Sequence, residues 1–153
     1  MEFLQAIEQA EPVRLLKTSF LAYPVVNALH IAAIGVLFAS IVLMDLCVLG
    51  AIRTAQCDPL VALLRRAALA AFPVAVLTGA SLFSIQATTY VRNPAFQVKL
   101  VLIALAGANA LTFMVLDRGR SSQAWPRLRR MLALASILLW SAVLLCGRLI
   151  GFV

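Results

Sequence analysis

Residues 23–50 read "YPVVNALHIAAIGVLFASIVLMDLCVLG", and the reading of this stretch decides the fold. It is long enough to cross a bilayer as a helix, because about 20 apolar residues rising ~1.5 Å each span a ~30 Å hydrocarbon layer. It also carries His30, the single histidine of the chain. Stepping ~100° per residue places Tyr23, Asn27, His30, Ile34, Phe38, Ile41 and Asp45 in one narrow stripe. The polar groups of this helix therefore share a face, and that face belongs against other helices, not against lipid.

The rest of the chain supplies those helices. Of 153 residues, 63% are apolar and 12% charged, with a mean hydropathy of +1.01. That is more apolar surface than a soluble domain of this length can hide. Three further apolar segments run from Arg66 to Ile85, Phe96 to Leu116 and Met131 to Ile150. Leu, Ala and Val dominate them without the alternation of a membrane barrel strand. The expected fold is all-α: an integral membrane four-helix bundle over residues 23–153, preceded by an interfacial amphipathic segment over residues 1–22. That segment, "FLQAIEQAEPVRLLKTSFLAYP" from Phe3, mixes large apolar residues with charges, and Pro12 is expected to break or kink it. Glu2, Glu8 and Glu11 precede the first basic residue, so no cleavable leader is read here.

Basic residues give the orientation. Arg53, Arg65 and Arg66 follow the first span, and Arg118, Arg120, Arg127, Arg129 and Arg130 follow the third. The opposite side has Arg14 and Lys17 offset by three glutamates, then Arg92, Lys99 and Arg148. The positive-inside rule places the arginine-rich connections in the cytoplasm and both termini in the periplasm of a bacterial inner membrane. The net charge of +7 thus reports topology. It supports no nucleic-acid partner, since the basic residues form short clusters beside membrane spans; the lipid bilayer and its anionic headgroups are the expected partners.

Depth follows from topology. His30 lies roughly 10 Å along the helix from Tyr23, in the outer half of the bilayer. Lys99 opens the third span and Arg148 closes the fourth at that same end. Beside them fall Asn27 and Tyr23, and from the second connection Gln86, Thr88, Tyr90, Asn93 and Gln97. The expected outcome is an outward-facing polar pocket binding a cofactor through His30, Asn27, Tyr23, Lys99 and Arg148. The plainer alternatives are a hydrogen-bonded structural histidine and basic residues that reach the headgroups along apolar stems. At the inner end, Asp45 is expected to pair with Arg118 or Arg53. Asn109, with Gly107 and Ala110, is expected to serve interhelical packing. Ala67, Ala71, Val74, Thr78 and Ser81 line one face of the second span, where small residues admit a close helix or a flat ligand.

The stretch quoted above, together with "TGASLF", "NPAFQVKLVLIALAGANALTF" and "GRLIGF", resembles a family of small, uncharacterised four-helix bacterial inner-membrane proteins known as a domain of unknown function. Cys47 stands where an arginine usually follows the Asp-Leu pair of that pattern. More distantly, a histidine early in span one and a lysine opening span three are similar to the HemJ-type protoporphyrinogen oxidases, with His30 and Lys99 at the matching positions. Asn109 lies near the place of that group's further histidine. This second resemblance implies haem b, with His30 as a ligand of the iron.

One imidazole can serve a haem iron as an axial ligand, or exchange a proton with a quinone or a porphyrin. Two histidine ligands within one chain are excluded by count. Cys47, Cys57 and Cys146 have no metal-type spacing, and no phosphate loop or Ser/His/Asp set is present. The expected function is a haem- or quinone-associated redox protein. The alternative is a non-catalytic membrane subunit or a small-solute or metal-ion transport component, and a homodimer or larger membrane complex would enlarge the bundle. Topology can be checked independently of function: reporter fusions after Gln56 and Gln123 should behave as cytoplasmic and one after Thr89 as external, whereas the opposite pattern would move His30 to the inner leaflet.

Overall fold

The computed structural model describes residues 2–52, 57–118 and 126–150, with the backbone alone for Asp117 and Arg118. Two short helices, α1 (Glu2–Gln9) and α2 (Glu11–Thr18), precede the long α3 (Ala22–Leu49). There follow α4 (Cys57–Ser84), the short α5 (Ala87–Arg92), α6 (Pro94–Arg118) and α7 (Pro126–Leu149), and the described residues contain no strand. Four of these helices, α3, α4, α6 and α7, are long and apolar enough to cross a membrane, with mean hydropathy between 1.9 and 2.5. The chain is an all-α, multi-pass membrane bundle that faces the lipid bilayer.

Two helices begin earlier than hydropathy suggests. Arg65 and Arg66 lie inside α4, and Arg127, Arg129 and Arg130 lie in the first turns of α7, not in connections. Arg and Leu are good helix formers, so the helix continues after the hydrocarbon layer has ended. Arg129 there stacks over the Phe113 ring of α6 at 5.5 Å. At the other end of α3 the chain turns at Gly50, whose φ of 76° is the left-handed conformation that suits glycine.

Packing follows residue size. α3 lies between α4 and α7, and α6 packs on α7. Among the buried residues are Ala33, Leu37 and Ser40 on α3, and Ala133, Ser136, Trp140 and Val143 on α7. Their spacing alternates between three and four residues, the pattern that lets ridges of one helix fill grooves of another. Small residues carry these seams because close backbone approach, and not water exclusion, holds helices together in lipid. Leu37, Ala68, Ala71, Ala106, Trp140 and Val143 form one cluster drawn from all four spans.

Asn109 donates from Nδ2 to the Leu132 carbonyl at 3.1 Å, tying α6 to α7 as expected. Its proposed companions differ. A Cβ at Gly107 would meet nothing within 4 Å, and Ala110 is exposed; Ala106, with 0% of its surface exposed, is the small residue that packs. For Gly107 the reason is angular, since one position beyond Ala106 the helix has turned ~100° from its contact line. Asp45 is buried with the Ser136 side chain against its carboxyl, and its Oδ2 has no hydrogen-bond partner. Its expected partners, Arg53 and the side chain of Arg118, lie outside the described residues.

The N-terminal segment is a pair of helices, broken at Ala10, where ψ is 138°. The break precedes Pro12, which sits in the first turn of α2 where its missing N–H costs no hydrogen bond. Leu4, Ile7, Val13 and Leu16 are partly covered, whereas Phe3, Leu15, Phe20 and Leu21 are exposed. α2 packs on the start of α3 and α1 on α5. Glu8 fixes the second contact: its Oε1 accepts from both the backbone N–H and the hydroxyl of Thr88, each at 2.8 Å.

The Thr88 backbone N–H, then the Thr88 hydroxyl, hold the Glu8 carboxyl below its ordinary pKa of 4.5. Because the folded value is depressed, this contact contributes fully above the unfolded value and is lost as pH falls through the folded one. Hydrogen exchange at the Thr88 amide should therefore be protected at neutral pH, lose protection as acidification passes through the lowered value of Glu8, and be unprotected at every pH in Glu8→Ala. Equal protection in that variant would show that α1 docks without Glu8.

Candidate functional site

One end of the bundle gathers the start of α3, the end of α4, α5, the start of α6 and the end of α7. Aromatic rings tie it together. Phe83 of α4 stacks on Phe96 of α6 with centroids 5.2 Å apart, and Tyr90 of α5 leans on both, at 6.2 Å from Phe83 and 5.7 Å from Phe96. Asn93 then starts α6, its Oδ1 accepting from the N–H groups of Ala95 at 2.9 Å and Phe96 at 3.2 Å, which satisfies two donors that have no partner within the helix.

His30 is held by α4. Its Nδ1 lies 2.9 Å from Thr78 Oγ1, and Thr78 in turn donates to the Val74 carbonyl at 2.6 Å. A hydroxyl has one proton, so with that proton directed at Val74 the oxygen accepts from His30, and the neutral ring carries its proton on Nδ1. The Ala75 carbonyl, which also faces the ring, can only accept. Nε2 is left as the nitrogen with a free electron pair. Below the ring stands Gly79, where an added Cβ would lie 2.9 Å from His30 Cε1 and 3.6 and 3.7 Å from the two nitrogens. Glycine is needed because imidazole occupies the space of a side chain.

Lys99 lies across α7. Its Nζ is 3.3 Å, and its Cε 3.6 Å, from the place of a Cβ on Gly147, and it is near enough to His30 to act on it electrostatically. Gly147 is also one wall of a pocket of about 420 Å³, together with Arg148 and Ile150. The facing wall is α5 and its flanks, Gln86, Thr89, Tyr90 and Asn93.

The expected site is thus divided. His30 and Lys99 are brought together, and Arg148 meets Gln86, Tyr90 and Asn93 as anticipated, but in a pocket whose lining does not include His30. Asn27 does not orient the ring; Thr78, nearly fifty positions along the chain, does so instead. Tyr23 is 46% exposed and is not part of the pocket lining. Thr88 serves Glu8, and Gln97 donates to the Val91 carbonyl at 2.8 Å. Sequence reasoning missed Gly79 and Gly147. Their signal was a glycine beside a polar residue inside an apolar helix, in "LTGAS" and "LCGRL".

A haem iron on Nε2 would meet an imidazole whose other nitrogen is already hydrogen-bonded, as ligating histidines require. His30 is the residue that would hold such an iron, through one ring nitrogen. Among the described residues no three His, Cys, Asp or Glu side chains gather to hold a metal ion by themselves. No family model, curated protein or solved structure matches this chain.

The seat of the ring can be tested by size. Gly79→Ala should cost about 1–3 kcal/mol, the range for overfilling a packed site, whereas Gly35→Ala, with nothing within 4 Å, should cost none. Thermal unfolding in detergent measures both. Imidazole nitrogen chemical shifts should show the Nδ1–H tautomer in wild type and lose that preference in Thr78→Val; an Nε2–H tautomer in wild type would reverse the assignment.

Proposed function

We propose that the chain is a multi-pass protein of a bacterial inner membrane, with periplasmic termini, that holds the polar part of an amphiphilic redox partner, a quinone or haem b, against His30. The observation that carries this reading is the fixed imidazole. Thr78 and Gly79 set its tautomer and its plane, leaving an unprotonated Nε2 inside the span of α3. A histidine that only filled space would not need a glycine cut to its shape.

The chain's own part in such a reaction is to position and to exchange a proton. Nε2 accepts a hydrogen bond from a hydroxyl, such as that of a quinol, and can take its proton, while Thr78 keeps the ring from turning. Lys99 supplies a cation beside the ring that can meet an acidic group on the partner. A haem bound there would supply electron transfer, with His30 as its axial ligand. The resemblance of His30 and Lys99 to positions of the HemJ-type oxidases supports the same reading.

Absorption spectroscopy and lipid extraction of detergent-purified protein test it. The haem version gives a Soret band that vanishes in His30→Ala at equal protein recovery; the quinone version gives a colourless protein with a co-purified quinone that is lost in the same variant. Colourless, quinone-free wild-type protein from haem-replete cells would remove both versions. It would favour a non-catalytic membrane subunit or transport component.

A further inference from the structure

We infer that Cys47 and Cys57 form a thiol pair that closes to a disulfide by exchange with a small disulfide of the glutathione type, and so staples the end of α3 to the start of α4. This site lies at the end of the bundle opposite His30 and stands whatever that residue holds. One turn brings the two sulfurs together. Gly50, in its left-handed conformation, folds the chain back over the last turn of α3. Its N–H donates to the Cys47 carbonyl at 3.1 Å, and those of Ala51 and Ile52 donate to the Leu46 carbonyl at 3.0 and 3.4 Å. The Ile52 carbonyl, carried round by that turn, accepts from the Cys57 thiol at 3.4 Å. Cys47 and Cys57 also share a side-chain hydrogen bond. A thiol has one proton, and with that of Cys57 directed at Ile52 its sulfur is the acceptor for Cys47. The two sulfurs therefore face each other with a single proton between them.

Both cysteines are partly exposed, so a small reagent can reach them. Cys146, the third cysteine, lies on α7 near enough to Lys99 to act on it, at the far end of the bundle. Exchange balances without a further reactant. One thiolate of the pair attacks a sulfur of the reagent disulfide and releases one reagent thiolate. The second thiolate of the pair attacks the mixed disulfide and releases the other, and the two protons pass to the two released thiolates. The pair loses two electrons, which the reagent disulfide gains. With periplasmic termini, as proposed above, this end faces the cytoplasm, where thiols rest reduced and disulfides are transient and redox-sensing. The reduced pair is then the resting state. The bond joins the two helices that hold the imidazole, α3 carrying His30 and α4 carrying Thr78 and Gly79, so oxidation pins the pairing on which that seat depends.

The test uses the full chain in a neutral detergent, reduced, freed of reductant and then equilibrated with oxidised or reduced glutathione. Samples are quenched in acid, denatured, alkylated and read by mass spectrometry. In reduced glutathione all three cysteines should be alkylated. In oxidised glutathione the chain should lose the mass of two hydrogens, and digestion should yield the peptides of Cys47 and Cys57 joined. Cys47→Ser and Cys57→Ser should instead hold glutathione as a mixed disulfide on the remaining member of the pair. The thermal midpoint of the oxidised wild type should rise by about 5 °C or more and return on treatment with dithiothreitol, and neither serine variant should show that shift. Wild-type protein in which Cys47 and Cys57 stay thiols, stop at mixed disulfides, or pair with Cys146 or a second chain would overturn the pair. A Cys47–Cys57 disulfide that leaves the midpoint unmoved would overturn the staple.

Discussion

An imidazole inside a bilayer has no water to complete its hydrogen bonds, so the protein must do so, and in this chain one turn of α4 does. Val74 accepts from Thr78, Thr78 Oγ1 lies 2.9 Å from His30 Nδ1, and Gly79 vacates the volume in which the ring rests. This requirement fixes more than the histidine. It sets the rotation of α4 about its axis, because Thr78 and Gly79 must both face α3. It also sets the height of α4 against α3, since a slip of one turn would move the ring from glycine onto a side chain. The pairing of α3 with α4 is accordingly among the closest in the molecule.

The opposite end of the bundle solves a similar problem less completely. Asp45 is buried and has the Ser136 side chain against it, yet one carboxyl oxygen has no hydrogen-bond partner. A carboxyl so placed tolerates little movement, because separating α3 from α7 would cost its contact with Ser136. The two ends therefore differ in kind. At the His30 end the polar groups are satisfied by small residues and leave a nitrogen pair and a pocket available. At the Asp45 end they are enclosed by the seam itself, with Ser40 and Ser136 buried in it.

How much of this was legible in the sequence depends on whether a property is carried by many residues or by one contact. The four spans rest on four runs of 23 to 28 residues acting together, so their number and approximate limits could be read from composition and spacing. The ends could not, because helices run on past the hydrocarbon boundary, as Arg65 and Arg127 show. That His30 and Lys99 belong to one end was a matter of depth, which the rise of a helix provides. Which residue holds the ring was a matter of rotation between two helices, and no periodicity within α3 contains it. Asn27 was the natural choice from one helix; Thr78 belongs to another. Glycines carry the same lesson. Gly107 looked like a contact and touches nothing, whereas Gly79 and Gly147 matter because a foreign side chain occupies the space beside each.

Those two glycines also explain why cationic and imidazole groups can share one end without sharing one cavity. Each lets a long or flat side chain lie across a helix instead of between helices. His30 from α3 crosses α4 at Gly79, and Lys99 from α6 crosses α7 at Gly147. Each side chain thus rests on the helix next to its own, α3 with α4 and α6 with α7, the two pairings that dominate the packing. Gly147 also borders the pocket that α5 and its flanks close from the facing side. That short helix is held from one side by the Phe83, Tyr90 and Phe96 rings and from the other by Glu8 of α1. The N-terminal pair of helices then acts as a strap, fastened to the bundle at the start of α3 and again at α5, with Phe3, Leu15 and Phe20 exposed. A displacement of α1 therefore acts on α5 through the Glu8 contact, and through α5 on the Arg148 pocket.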